Sequence, residues 1–403
     1  MLQITEPSTP IPRYALWQLG FRPFFFAASL FAVLGTMLWT ALYSFHWVGL
    51  PASYPAMTWH AHEMIFAYAL AVIAGFLLTA VKNWTGIATL QGYGLAALVS
   101  VWLLARCLPF TGLPLIWTAL ADLSFLVGLF SAVARPIVLA KQWKQVGILA
   151  KVALLTLANS LFYLGLLGYW PLGLVLGLYL SFYLVIALIL TMGRRVIPFF
   201  IEKGIGVPFA ARNYPWLDRA SLVLFLAFAL LDLAAMSTGN QLGIYLVATL
   251  AVLQVVLHSI RLRGWYHPLI WKKPLLWVLY LAYAWLVLGF LLKFLSLMGN
   301  ISPWLAVHAF AYGGIGMMTL GMMARVSLGH TGRDVANPPA ILFVLFAVLA
   351  LGTLFRVFLV WWLPDAQAIW ILAAQYLWTT AFAGLVWVYA PMWWSARVDG
   401  RPG

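Results

Sequence analysis

The stretch WHAHEMIFAYALAVIAGFLLTAVKNWTG, Trp59–Gly86, decides the fold. Between Glu63 and Lys82 it carries no charge. A helix of roughly 20 apolar residues crosses the hydrocarbon core of a bilayer. Working outward from it, comparable runs fall at about 22–45, 58–81, 88–109, 113–134, 147–168, 171–193, 217–236, 240–260, 274–297, 303–325, 338–361 and 366–390. Backbone in lipid must satisfy its own hydrogen bonds, which leaves helices or a closed barrel. These runs are too long and too uniformly apolar for alternating strands of ~10 residues. The expectation is an all-α, polytopic transmembrane helical bundle of about 12 helices, one transmembrane domain over residues 1–403. It includes a short cytoplasmic N-terminal segment 1–20 and a C-terminal tail 391–403. Pro51, Pro55, Pro114, Pro171, Pro274, Pro303 and Pro338 stand at or near span starts, where a missing N–H costs little.

Composition agrees. Of 403 residues, 65% are hydrophobic and 8% charged, against roughly 25% charged in a soluble domain. No cleavable signal is expected, because the first residues carry Pro7, Pro10 and Pro12 and lack an apolar run. A single cysteine, Cys107, excludes an internal disulfide and a Cys-rich metal site. The net charge of +14 does not point to nucleic acid. With the N-terminus inside, 20 of the 23 basic residues fall on the cytoplasmic side, which leaves Arg106, Lys293 and Arg356 near outer span ends. Lys and Arg are retained there during insertion, so the charge is topogenic and lipid-facing. Both termini are expected in the cytoplasm.

That topology places His46, His60, His62 and His308 on the outer side, and His258, His267 and His330 on the inner side. Glu63, Asp122 and Asp232 lie within spans, where acidic residues are costly. Sliding Trp59–Gly86 by 246 positions onto Leu305–Gly332 aligns His62 with His308, Phe66 with Tyr312, Gly75 with Gly321, Thr85 with Thr331 and Gly86 with Gly332. In each copy the glycine lies 13 residues deeper than the histidine. Either two apolar helices agree by chance or a helical unit is duplicated. Duplication at the second and tenth spans implies three four-helix units, with the second, sixth and tenth spans central.

The stretch from His60 to Gly86, with GFRPFF (Gly20–Phe25), GRRVIPFFIEKG (Gly193–Gly204) and ARVSLGHTGR (Ala324–Arg333), resembles the NnrS family of bacterial inner-membrane proteins. The resemblance implies about twelve spans, haem and copper, and a part in the response to nitric oxide and nitrosative stress. No Cys-x-x-Cys-His occurs, so the implied haem is a noncovalent haem b. In architecture the chain also resembles haem-copper oxidases, which hold a haem between their second and tenth helices. The three-histidine copper set of those enzymes is not seen on spans six and seven.

Imidazole is a good axial ligand, and His308 with His62 or His60 is the candidate ligand set, His62 preferred from the repeat. Two interfacial histidines bonded to water are the alternative. His60 and His62 point about 200° apart on a helix, so both cannot face one haem. His60, Glu63 and Met64 share a helix face. That face suits copper, or Glu63 as catalytic proton donor; the alternative is Glu63 bonded to a neighbouring span. His46 reads as solvated. His258 and His330 are candidates for a second metal site, although a helix C-terminus favours a cationic histidine in any case. Arg194, Arg195 and Arg325 suit anionic lipid or a haem propionate, though topology alone accounts for them. Gly313, Gly314, Gly316 and Gly321, among Met317, Met318, Met322 and Met323, suggest close packing against a helix or a flat cofactor.

Three functions compete. The first is a haem-bearing redox or nitric-oxide-handling protein, such as a nitric oxide reductase-like oxidoreductase fed by a quinol or cytochrome donor. The second is a twelve-span secondary transporter that uses Asp122 and Asp232. The third is a nonenzymatic nitric oxide sensor or protective factor.

Overall fold

The computed structural model describes residues 15–400. The segment up to residue 14, with Arg13, and the last three residues, with Arg401, lie outside the described residues. Among the described residues, twelve helices are long and apolar enough to cross a membrane. They are α1 (Phe21–Ser44), α2 (Ala56–Thr85), α3 (Gly92–Phe110), α4 (Leu115–Leu139), α5 (Trp143–Leu166) and α6 (Pro171–Gly204). The rest are α7 (Pro215–Thr238), α8 (Gln241–Trp265), α9 (Pro274–Leu297), α10 (Pro303–His330), α11 (Ile341–Trp362) and α12 (Pro364–Trp394). The protein is a multi-pass membrane protein. Short connections reverse the chain each time, so the Lys- and Arg-rich loops gather at one end, here the basic end. The other is the neutral end.

Local chemistry sets the starts. Pro171, Pro215, Pro274 and Pro303 occupy the first helical position, and Pro55 and Pro114 cap α2 and α4. The sixth span differs from its sequence reading. It does not stop at 193 but runs 34 residues to Gly204, through Pro198. Ile197 and Ile201 continue its apolar face into the core, and that packing outweighs the one hydrogen bond a mid-helix proline removes.

The ranking of central helices also shifts. In α2 and α10, 78% of the apolar stretch is buried, in α9 67%, and in α6 only 50%. The second and tenth spans are central as expected, but α9 is more enclosed than α6. The glycines explain why. A side-chain carbon on Gly313 would meet Trp285 of α9 at 2.5 Å, on Gly314 Leu286 at 2.3 Å, and on Gly321 Val278 at 2.7 Å. The small residues of α10 therefore seat helix α9, the first of the two alternatives.

Two features of the α2/α10 correspondence emerge only in three dimensions. Each helix is interrupted by π-helical turns, Met64–Ala69 and Ala309–Gly316. Shifted by 246 positions, the first lands on residues 310–315, inside the second. Gly75 is filled by Phe25 and Phe24 of α1, as Gly321 is by α9. In both copies the preceding helix lies on the same glycine. π-helical turns of this kind occur frequently at functional sites.

The GFRPFF motif is structural. Arg22 is fully buried and donates to the carbonyls of Met392, Trp393 and Ser395 at 3.1, 3.0 and 2.6 Å. These belong to the end of α12, where carbonyls lack helical partners. The Phe21 N–H donates to Thr79 Oγ1 at 3.0 Å. The motif ties the start of α1 to α2 and to the last helix.

Candidate functional site

The neutral half of the bundle holds two polar groups around α2 and α10. The first is a buried ionic cluster. His62 and Glu63 come from α2, Arg106 from the last turns of α3, Asp122 from α4, and Asn159 and Tyr163 from one face of α5. His62 and Asp122 are fully buried, and Glu63 is 2% exposed. Arg106 donates to Glu63 Oε2 at 2.9 Å and, through its other terminal nitrogen, to Asp122. Asn159 Nδ2 donates to Asp122 Oδ2 at 2.9 Å, and so does the Tyr163 hydroxyl at 3.2 Å.

His62 closes the cluster. Its Nδ1 lies 3.0 Å from Glu63 Oε1, and its Nε2 lies 2.9 Å from Asn159 Oδ1 and 3.3 Å from Asp122 Oδ2. Asn159 spends its amide N–H on Asp122, so it presents its oxygen to the ring. Beside ionised carboxylates, both ring nitrogens face acceptors, and the geometry fits an imidazolium. Two carboxylates then balance two cations, which is how charge survives away from water. The ring is walled by Phe162, stacked at 4.3 Å, and by Phe66 at 4.8 Å. Tyr54, in the loop before α2, presents its ring edge at 6.4 Å. Burial first, then Glu63, push the Tyr54 phenol well above its usual range.

In this arrangement His62 is engaged on both ring nitrogens, whereas the repeat suggests pairing it with His308. An imidazolium with both nitrogens bonded has no lone pair for iron, and both its faces are covered. His62 is committed to its own cluster. His60 lies on the opposite side of α2, its ring flat on Trp39 of α1 at 4.1 Å and 8°. His60 and Arg356 both lie within electrostatic reach of His308. The shared face of His60, Glu63 and Met64 is also not realised as a site. Glu63 commits both oxygens to His62 and Arg106, while Met64 opens the π-helical turns and packs on the apolar core.

The second group is built on α10. His308 Nδ1–H donates to the Trp304 carbonyl at 2.8 Å, one turn earlier. The lone pair is thereby set on Nε2, where Arg356 of α11 donates to it at 3.0 Å. Nearby, Ser44 of α1 donates to Gln375 Oε1 of α12 at 3.0 Å, and the Tyr312 hydroxyl donates to the Ala374 carbonyl at 2.8 Å. The two groups mirror one another. In each, the helix after the histidine helix sends an arginine from its neutral end: Arg106 to Glu63, Arg356 to His308.

Towards the basic end, His258 and His330 do not meet. His258 Nδ1 accepts from Arg261 at 3.1 Å and from the Tyr283 hydroxyl at 2.7 Å. Arg261 cannot accept, so the hydrogen of a neutral His258 sits on Nε2, and no lone pair is left for a metal. His330 lies beside Phe21, ring centres 5.6 Å apart. Asp232, on α7, is held by Lys293 at 2.8 Å and by the Tyr183 hydroxyl. Among the described residues, no three His, Cys, Asp or Glu side chains are grouped to hold a metal ion. Sequence reasoning missed Asn159, Tyr163 and Tyr54. The signal for two of them was present: Asn159 and Tyr163 are polar residues at i and i+4, on one face of a largely apolar span.

Sequence comparison finds a family match over nearly the whole chain. The family model described as NnrS protein matches residues 15–397. No curated protein matches the chain.

Proposed function

Because the chain belongs to the NnrS family, we propose that it is a bacterial inner-membrane haem protein of the nitric oxide response, with haem b held between α2 and α10 by His308 and His60. Family membership supports the role in the nitric oxide response. The observation that carries the haem assignment is the state of His308. Its Nδ1–H is fixed on a backbone carbonyl, its Nε2 lone pair accepts from Arg356, and His60 lies within electrostatic reach. A carbonyl-bound Nδ1–H with the lone pair on Nε2 is the tautomer in which histidine ligates metals, and ligation here requires Arg356 to leave that lone pair. Arg356, once it releases the histidine, is suited to a haem propionate. Among the described residues His60 stacks on Trp39 and makes no hydrogen bond, so it is the more easily displaced of the two. The haem would supply an iron that passes electrons from a quinol or cytochrome donor, or binds nitric oxide where an axial position opens.

Copper fits less well. With Glu63 engaged twice, the sequence-predicted set leaves only His60 and Met64, and we assign no copper site. The transporter reading loses its motive, since Asp122 and Asp232 are each held by a fixed cation. The test is the absorption spectrum of detergent-purified protein from haem-replete cells. We expect a Soret band that shifts on reduction and on adding nitric oxide, and is removed by acid–acetone extraction. A colourless, folded protein would sink the proposal.

We further propose that the basic end faces the cytoplasm. Reporter fusions at Gly239 and Gly299 should read periplasmic, and one at Lys272 cytoplasmic. A cytoplasmic reading at Gly299 would reverse the orientation.

A further inference from the structure

An apolar cleft follows the junction of α2, α6 and α10. About 90 Å³ of it is cavity space, within a wider groove that is open to the surroundings of the bundle. Its floor is buried, as at Ala69, Leu188 and Met318, while its rim, as at Ile73, Ile189 and Met322, is half-buried. It therefore opens sideways, towards lipid. Along α6 its lining runs from Val185 to Ile197, a rise of roughly 18 Å at ~1.5 Å per residue. That is close to the depth of one leaflet of a hydrocarbon core ~30 Å thick.

A second, independent feature stands at its basic end. Arg325 lies three residues beyond Met322, on the same face of α10. Its guanidinium rests 3.8 Å from the centre of the Phe200 ring on α6. Among the described residues Arg325 makes no hydrogen bond or ion pair. Arg194 nearby on α6 is different, being paired with Asp218 at 2.9 Å. A half-buried cation without an anion, at the headgroup end of a leaflet-deep apolar cleft, calls for an anion that carries a hydrocarbon chain.

We propose that this cleft binds one anionic phospholipid, with an acyl chain between α2, α6 and α10 and its phosphate on Arg325. The guanidinium fork matches phosphate oxygens in pairs, and the Phe200 ring lies beneath it. The site needs no haem and is independent of His308.

The experiment uses the full chain, delipidated in detergent and titrated with phosphatidylglycerol or phosphatidylcholine, with bound lipid counted by native mass spectrometry. We expect one phosphatidylglycerol per chain, favoured over phosphatidylcholine by roughly fivefold, as ~1 kcal/mol per basic residue implies. Arg325→Gln should abolish that preference, Arg325→Lys should keep most of it, and Ile189→Trp, which fills the cleft, should reduce binding of both lipids. Arg135→Gln, at an exposed position elsewhere on the basic end, should change nothing. Equal retention of the two lipids by the unaltered chain, or an unchanged preference in the Arg325→Gln variant, overturns the proposal. So does displacement by an equal concentration of inorganic phosphate, which would show a headgroup site without a chain. If Ile189→Trp fails to elute as a single species, the half-buried Arg325 variants decide alone.

Discussion

Replacing Arg106 with alanine should cost the protein about 3–5 kcal/mol, the expense of stranding a buried charge. Arg106 is the only fixed cation in its cluster. Without it, Glu63 and Asp122 face one another through His62, with a single proton-bearing ring to offset two carboxylates. The expected result is a large fall in the thermal midpoint of detergent-solubilised protein, read by fluorescence-detected size exclusion, or no folded protein at all. Replacing the cluster's charges together separates charge from shape. Glu63→Gln, Asp122→Asn and Arg106→Gln combined should recover a substantial part of the loss, because no ion is then left unpaired. Were Arg106→Ala as stable as the parent, the cluster would not be charge-balanced as its hydrogen bonds indicate. Were the triple variant no better than the single one, Arg106 would act through packing.

The second large effect is all-or-none. His308→Leu should remove the Soret band, because it deletes the one histidine whose tautomer is already set for ligation. His60→Leu should weaken or shift the band, since among the described residues His60 stacks on Trp39 and makes no hydrogen bond. His62→Gln is the decisive contrast. On the proposed haem assignment it spares both ligands but breaks the ionic cluster, so it should lower the thermal midpoint while any folded protein keeps its spectrum. His46→Ala, in the loop before α2, should change neither. Measuring spectrum and thermal midpoint on the same samples separates the two histidines of α2. An unchanged spectrum in the His308 variant would defeat the assignment. Loss of the band in a fully stable His62 variant would restore the pairing that the repeat alone suggests.

Comparison of α2 with α10 shows why sequence correspondence can mislead about chemistry. The features the two helices share are the π-helical turns, the glycine that seats the preceding helix, and the arginine from the following helix. The side chains at equivalent positions then meet different neighbours. His62 is met by Glu63, Asp122 and Asn159, whereas His308 is met by a backbone carbonyl and Arg356. Equivalent positions hold histidine in both, one set between two carboxylates and one accepting from an arginine.

The amino-acid sequence by itself determined the membrane class, the twelve spans and the gathering of basic residues at one end. These depend on apolarity and charge along a continuous stretch, which a bilayer reads locally. It also determined that His60 and His62 oppose one another, because helical rotation per residue is fixed. It did not reveal which of the two lies within electrostatic reach of His308, where α6 ends, or that Arg106 and Arg356 reach back to the histidine helices. Those depend on which neighbour occupies each side of a helix, and on π-helical turns that reset its rotation partway along. Only tertiary packing decided them, because in a low-dielectric interior each buried donor and charge settles on whichever partner the neighbouring helices bring within hydrogen-bond reach.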